Sequence, residues 1–307
     1  MNDCAGLAHR SCPGCEALEP IRENERVWPI GWTCPACGHV VAQSAEIPML
    51  APELADTVSG FDPILFAALA KIEADHFWFV ARNELIVGLA DRFFPAARHL
   101  LEIGCGNGAV LRALASSRRW KRVVGSDLHP TGLAHARERM PDDVELVQMN
   151  ALAIPARETF DLIGAFDIVE HVEDDEGVLR AMRRSMRPSG GAIISAPQHP
   201  WLWSGADEIA HHQRRYCRGE LESKLRRNGF EVLFSSSFTA TLLPLMAASR
   251  AKARLWPGNG GLGRELAVAG QANATLLAIL RAEVRLTLTG ARWPVGGSRM
   301  VVARALA

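Results

Sequence analysis

From residue 98 onward, short apolar runs alternate with stretches whose apolar residues recur every three or four positions. Segments 98–103, 122–126, 144–149, 160–166, 192–196 and 230–235 have the length and apolar continuity of buried strands. Between them, 109–116, 131–140, 176–186 and 219–227 carry helical spacing. This β-α alternation predicts an α/β fold built on a parallel sheet with helices on both faces, whose ligands lie at the carboxyl ends of the strands. A last strand is predicted at 300–305, after an insertion, 239–297, that holds two apolar helical runs at 241–255 and 273–288. In the second run Leu276, Leu277, Leu280, Val284 and Leu288 share one face. Core packing, a lipid-facing surface in peripheral membrane contact and an acceptor pocket all fit such a face.

Upstream, Phe61-Asp62-Pro63 opens a helical run over 64–74, and Pro48, Pro52 and Gly60 give 42–60 the look of a linker. The expected organisation is a small N-terminal unit at 1–45, a linker and lead-in helix at 46–75, and a main domain at 76–307 with 239–297 as a helical cap. The uncharged stretch 232–249 is long, but four Ser, two Thr and Pro244 within it read as a strand followed by a helix rather than a membrane span.

The 307 residues carry 34 Lys+Arg against 34 Asp+Glu, with no basic block, which excludes duplex nucleic acid as the main partner. At 48% apolar and 22% charged residues the chain has ample material for a core, so disorder is excluded too. The first ten residues hold no apolar run suited to a signal segment, so the reading is a cytoplasmic protein with reduced thiols. Four of the 7 cysteines form two C-x-x-C knuckles, Cys12/Cys15 and Cys34/Cys37. That spacing predicts a closed four-thiolate shell for a structural zinc, a zinc ribbon in a segment too small for a core of its own.

The strand at 98–103 ends in Leu101-Glu102-Ile103-Gly104-Cys105-Gly106-Asn107-Gly108. Glycines at the mouth of a helix let a ligand approach the backbone. A pyrophosphate would be repelled by Glu102, whereas S-adenosylmethionine has no phosphate and carries a sulfonium and an amino group; a nicotinamide-dependent dehydrogenase is therefore the weaker reading. Asp127, at the end of the next strand, stands where a ribose diol can be gripped, with Leu128 beside it. Asn150-Ala151 follows the third strand as a candidate adenine contact or a plain turn. Arg82, in the polar-aromatic segment 75–83, is placed either to meet the cofactor's carboxylate or to serve helix packing.

With these motifs in order, and with Phe166-Asp167-Ile168-Val169-Glu170-His171 and Arg187-Pro188-Ser189-Gly190-Gly191 after them, the chain resembles the class I S-adenosylmethionine-dependent methyltransferases of type 11 and type 23 over residues 76–238. The resemblance implies a seven-stranded Rossmann-like sheet. It also implies a cofactor site made of Glu102, Gly104, Cys105, Gly106, Gly108, Asp127, Leu128, Asn150, Ala151, Phe166 and Arg82. The trio Asp167, Glu170 and His171 is similar to the acidic-x-x-Glu-His pattern of the ubiquinone-biosynthesis O-methyltransferases, which implies magnesium near an acceptor oxygen. A helix-start role without metal is the other reading. His199, His211 and His212 are further candidates for a proton acceptor, and 197–216, with Trp201, Trp203, Arg214 and Arg215, looks like an acceptor lid. The implied activity is methyl transfer, most readily to oxygen, on a glycan, glycolipid or other small or carrier-linked acceptor. A non-catalytic adaptor, retaining S-adenosylmethionine while its zinc ribbon docks a partner, is the competing class.

Overall fold

The computed structural model describes residues 8–55, 64–118, 120–255 and 270–306. The N-terminal part forms two short hairpins, β1 (His9–Ser11) with β2 (Leu18–Pro20) and β3 (Ala42–Ser44) with β4 (Ile47–Met49). Helices α1 (Ile64–Ala70) and α2 (Phe77–Phe93) follow. Then come β5 (His99–Ile103), α3 (Ala109–Ser117), β6 (Arg122–Asp127), α4 (Pro130–Arg137), β7 (Glu145–Gln148), β8 (Ala156–Arg157) and β9 (Phe160–Phe166). The chain continues through α5 (Asp175–Ser185), β10 (Met186–Pro197), the short α6 (Gly205–Ile209), α7 (Glu220–Arg227) and β11 (Phe230–Phe238). It closes with α8 (Leu243–Leu255), α9 (Gly270–Thr289) and β12 (Ser298–Ala305).

One sheet of nine strands runs in the order β11-β12-β10-β9-β5-β6-β7-β4-β3. From β10 to β7 the neighbours are parallel, and β12 is antiparallel to both β10 and β11. This is the expected seven-stranded Rossmann-like sheet, lengthened at one edge by the β3–β4 hairpin through the register Met49↔Gln148. Helices α2, α3, α4 and α9 cover one face, with Leu85, Leu111, Leu133 and Leu280 in a single apolar cluster. On the other face lie α5 and α7, with Leu179 and Leu225, joined by Val27 and Trp28 of the N-terminal part. The connection from β7 to β9 contains no helix, and Val27 and Trp28 pack there beside Val147 and Phe160. The N-terminal unit thus takes the place that a crossover helix fills elsewhere in the sheet.

Two expectations about the N-terminal half change. The boundary at residue 45 falls inside the β3–β4 turn, where Ala45 and Glu46 hold φ of 46° and 62°, the conformation that a tight hairpin turn requires. The start of the linker is therefore a buried strand that continues the sheet. Helix α2 was not foreseen as a seventeen-residue element; Arg82 and Asn83 interrupt its apolar face, and their side chains have polar partners inside the protein. The predicted helix start at 61–63 and the middle of the cap, 256–269, lie outside the described residues. Within 239–297, α9 runs along α2: Asn273 accepts from Phe77 N, and Arg281 pairs with Glu84. Leu280 and Val284 are buried on that contact, so core packing accounts for this face. The long uncharged stretch is β11 followed by α8, and no helix of the described residues is long and apolar enough to cross a membrane.

Candidate functional site

The glycine loop leaves β5 with Gly104, Gly106 and Gly108 at φ of 67°, 50° and 78°, all in the left-handed region. A Cβ on Gly104 would lie 1.9 Å from the tip of the Ile168 side chain, so any other residue there would add a displaced Ile168 to the strain of a left-handed backbone. Asp127, buried at the end of β6, fastens it: Gly106 N donates to one carboxylate oxygen at 2.8 Å and His129 N to the other at 2.9 Å. Each oxygen keeps a lone pair for a ligand hydroxyl. Leu128 O accepts from the Gln148 amide at 3.1 Å, while Cys105 turns its thiol toward Gly125 and Phe166 packs its ring into the core. Those last two can meet a ligand through backbone or ring edge only. Asn150 spends its side-chain oxygen on Leu152 N, as a turn residue does.

Glu102 is 2% exposed, and its Oε2 has no hydrogen-bond partner in the protein. Burial pushes its pKa well above the ordinary carboxylate value; Arg82 opposes the rise, and Asp127 and Glu73 add to it. A buried acid left unsatisfied at the mouth of a glycine loop is a seat for a cationic or hydrogen-bond-donating ligand. The amino group and sulfonium of S-adenosylmethionine fit that seat.

Of the two roles open to Arg82, the structure shows the packing one. Its guanidinium pairs with Asp167 and lies over the Trp78 ring at 4.5 Å, on the buried face of α2. Asp167, with φ of 56°, also accepts from Ser195 Oγ at 3.1 Å. Both of its oxygens thus have protein partners, and the donor cluster of Glu170, His171 and His212 forms without it.

The second centre lies just after β9. Donor atoms of Glu170, His171 and His212 all lie within 4.8 Å of one another. The His171 and His212 rings meet edge to face at 4.8 Å. His212 Nδ1 shares a 2.8 Å hydrogen bond with Asp207 Oδ1, and its Nε2 lies 3.8 Å from Glu170 Oε1. Glu170 is wholly buried with neither oxygen hydrogen-bonded, and burial, reinforced by Asp167, raises its pKa well above normal. Burial works to raise Asp207 too, but hydrogen bonds from His212 and Arg215 outweigh it and hold that carboxyl low. Magnesium fits this centre poorly: two imidazoles and one carboxylate suit a transition ion, while magnesium takes oxygen ligands, and Asp167 is engaged elsewhere.

The 197–216 segment is a fastened strap. Arg215 donates to both oxygens of Asp207 and to Gln198 O. Arg214 pairs with Asp175, which also accepts from the buried Tyr216 hydroxyl at 2.7 Å. Arg214 and Arg215 are thus committed to the protein and are not the acceptor-binding pair that the sequence suggested. His199, at φ 64°, stacks on Trp201 at 5.6 Å, and His211 is exposed on the strap, so neither belongs to the Glu170 centre. Asp207 is the partner that the sequence did not announce: its five-residue spacing from His212 hides a contact made across the end of α6.

The four knuckle sulfurs converge as expected. Cys12–Cys37 and Cys15–Cys34 are 3.7 and 3.8 Å apart, matching the edge of about 3.8 Å in a tetrahedron with zinc–sulfur arms of about 2.3 Å. Cys34 feels burial upward, but backbone N–H groups of Cys37 and Ala36 draw it down to about 7, which favours a thiolate.

Residues 101–194 match the family described as "Methyltransferase domain". A probable S-adenosylmethionine-dependent methyltransferase of Mycobacterium tuberculosis is 31% identical over 165 residues, covering 53% of this chain and 58% of that protein. A ubiquinone biosynthesis O-methyltransferase of Pseudomonas entomophila is 30% identical over 145 residues, covering 42% and 62%. The chain thus spans less than two thirds of the length of these relatives. Among solved structures, the Haloferax volcanii complex of the Trm112 methyltransferase activator with a putative methyltransferase matches with a TM-score of 0.56 at 16% identity, over 82% of this chain and 98% of that one. The [4+2]-cyclase SpnF matches at 0.50 and 20% identity, over 75% and 82%. Such likenesses establish the fold alone.

Proposed function

We propose that this chain, whose residues 101–194 match a methyltransferase domain, is an S-adenosylmethionine-dependent methyltransferase that methylates a hydroxyl oxygen on a glycan, glycolipid or other small or carrier-linked acceptor. The observation that carries the reading is Glu102, buried and unsatisfied at the glycine loop. When bound, S-adenosylmethionine supplies an electrophilic methyl on a cationic sulfur. Glu102 offers the carboxylate that such a charge stabilises, and Asp127 offers two oxygens to a diol while holding Gly106 and His129 in place. The Arg82 guanidinium, paired with Asp167, opposes the burial-driven rise of both Glu102 and Glu170.

Methyl transfer is collinear, so most of the rate comes from holding donor and acceptor in contact. An alcohol acceptor also benefits from a base, and His212 is built as one. Asp207 accepts from Nδ1, fixing the tautomer whose Nε2 lone pair lies toward Glu170. The imidazolium formed on taking the hydroxyl proton would rest on the buried, ionised Asp207. Beside His199, the exposed face of Trp201 offers a flat apolar surface for a sugar or phenol ring.

The adaptor reading is less well supported, because β1 pairs with β8 and β4 with β7, so the ribbon is engaged with its own domain. The test is incubation with methyl-labelled S-adenosylmethionine and a panel of glycans, glycolipids and phenols. Acceptor-dependent label transfer, lost in His212→Ala, is expected; cofactor binding without transfer to any hydroxyl would favour the adaptor.

A further inference from the structure

We propose that a groove at the β11 edge of the sheet, remote in sequence from the glycine loop, is a binding site for a phosphate or diphosphate group. A cavity of about 310 Å³ opens there, and four arginines line it: Arg218 and Arg226 from the α7 side, Arg292 from the loop after α9, and Arg299 from β12. Arg299 is buried and donates twice to Glu222, so its charge is offset locally. Among the described residues Arg218, Arg226 and Arg292 have no acidic partner, and Arg292 lies over the Phe234 ring at 5.3 Å. Four guanidinium groups to one carboxylate is a strong local excess in a chain whose formal net charge is zero.

The backbone shapes the groove for a small ligand. β11 is the terminal strand, and its register to β12 shifts between Val232 and Phe234. Higher up, Ser237 N donates to Trp293 O at 3.0 Å and Trp293 N to Ser236 Oγ at 2.9 Å, so the loop covers the edge there and leaves it open beside the bulge. An acidic peptide adding as a strand would need a regular edge, which the bulge removes. A compact anion of phosphate or diphosphate size needs only the fork-like donors that three arginines supply.

Titration of the full chain with inorganic pyrophosphate by calorimetry, without S-adenosylmethionine, tests the site. Salt-dependent binding is expected, weakened about tenfold or more in the double variant Arg218→Glu/Arg292→Glu, the scale of a lost charge-assisted hydrogen bond. Both side chains are exposed, so the variant's melting temperature should be unchanged. Flotation with vesicles of phosphatidylglycerol and phosphatidylcholine distinguishes the source. Vesicle capture lost in the double variant would also support the site and place its phosphate on a lipid. Charged side chains also guard open sheet edges without any ligand. Absence of both pyrophosphate and vesicle binding, or binding that the double variant retains, would overturn the proposal.

Discussion

His212 and Asp207 face each other across the end of α6, joined by a 2.8 Å hydrogen bond while Arg215 clamps the same carboxylate from its other side. Neither residue lies on a strand of the sheet, yet the strap that carries them brings His212 to Glu170 at the end of β9.

His212→Ala should therefore lower kcat by about 10²–10⁴ while leaving S-adenosylmethionine affinity within about twofold, since a base acts on the chemical step. Asp207→Asn should follow in the same direction, with some loss of stability because Arg215 loses its ion pair. Steady-state kinetics beside direct cofactor titration separates the two effects. A His212→Ala enzyme with unchanged kcat would move the base to His171 or to the acceptor itself.

Glu102→Gln keeps the shape of the seat and removes its charge. Cofactor affinity should fall about tenfold to a hundredfold, the range for a hydrogen bond to a charged group. The fold should be kept, because no protein group depends on Oε2. Equal affinity in the variant would show that the cofactor's amino group sits elsewhere.

One zinc per chain is expected by elemental analysis. Its removal should reach beyond the knuckles, because Val27 and Trp28 fill the sheet face between β7 and β9. Gln148 joins β7 to the chain just after β4 and to the end of β6: its side chain bonds Ala51 N and O as well as Leu128 O. Chelation should raise hydrogen exchange over 145–151 and weaken S-adenosylmethionine binding together. Exchange confined to residues before 45 would instead mark the ribbon as an independent unit.

Asp161 ties three segments, accepting from Arg98 N and His99 N and pairing with Arg187 and the His99 ring. Burial opposes ionisation, but the His99 and Arg98 hydrogen bonds prevail and hold its pKa below the ordinary value. A depressed pKa contributes stability above the unfolded value of about 3.9 that is lost as pH falls through the folded one. Denaturation at several pH values should show Asp161→Asn costing about 1–3 kcal/mol at pH 7, with the gap to wild type closing progressively below about pH 4. A gap that stays constant down to pH 2 would rule out this linkage.

The sheet, the glycine loop and the cysteine knuckles were legible in the sequence because each is local: an apolar run, a glycine spacing or a C-x-x-C turn declares itself within a few residues. What stayed hidden depends on partners distant in the chain. Met49 looks like linker until Gln148 is beside it, and Arg82 and Asp167 look like ligand contacts until they meet each other. Arg214 and Arg215 read as part of an acceptor lid because nothing nearby in sequence announces Asp175 or Asp207 as their acids. Charged side chains are ambiguous in a sequence for this reason: a pair within the protein and a site for a ligand use the same residues.

The most direct test of the central claim is calorimetric titration of the intact protein with S-adenosylmethionine and with its demethylated product, in parallel with NAD. Saturable binding of the first two, weakened in Glu102→Gln, and none of NAD is the predicted result; binding of NAD, or of none of the three by well-folded, zinc-loaded protein, would contradict it.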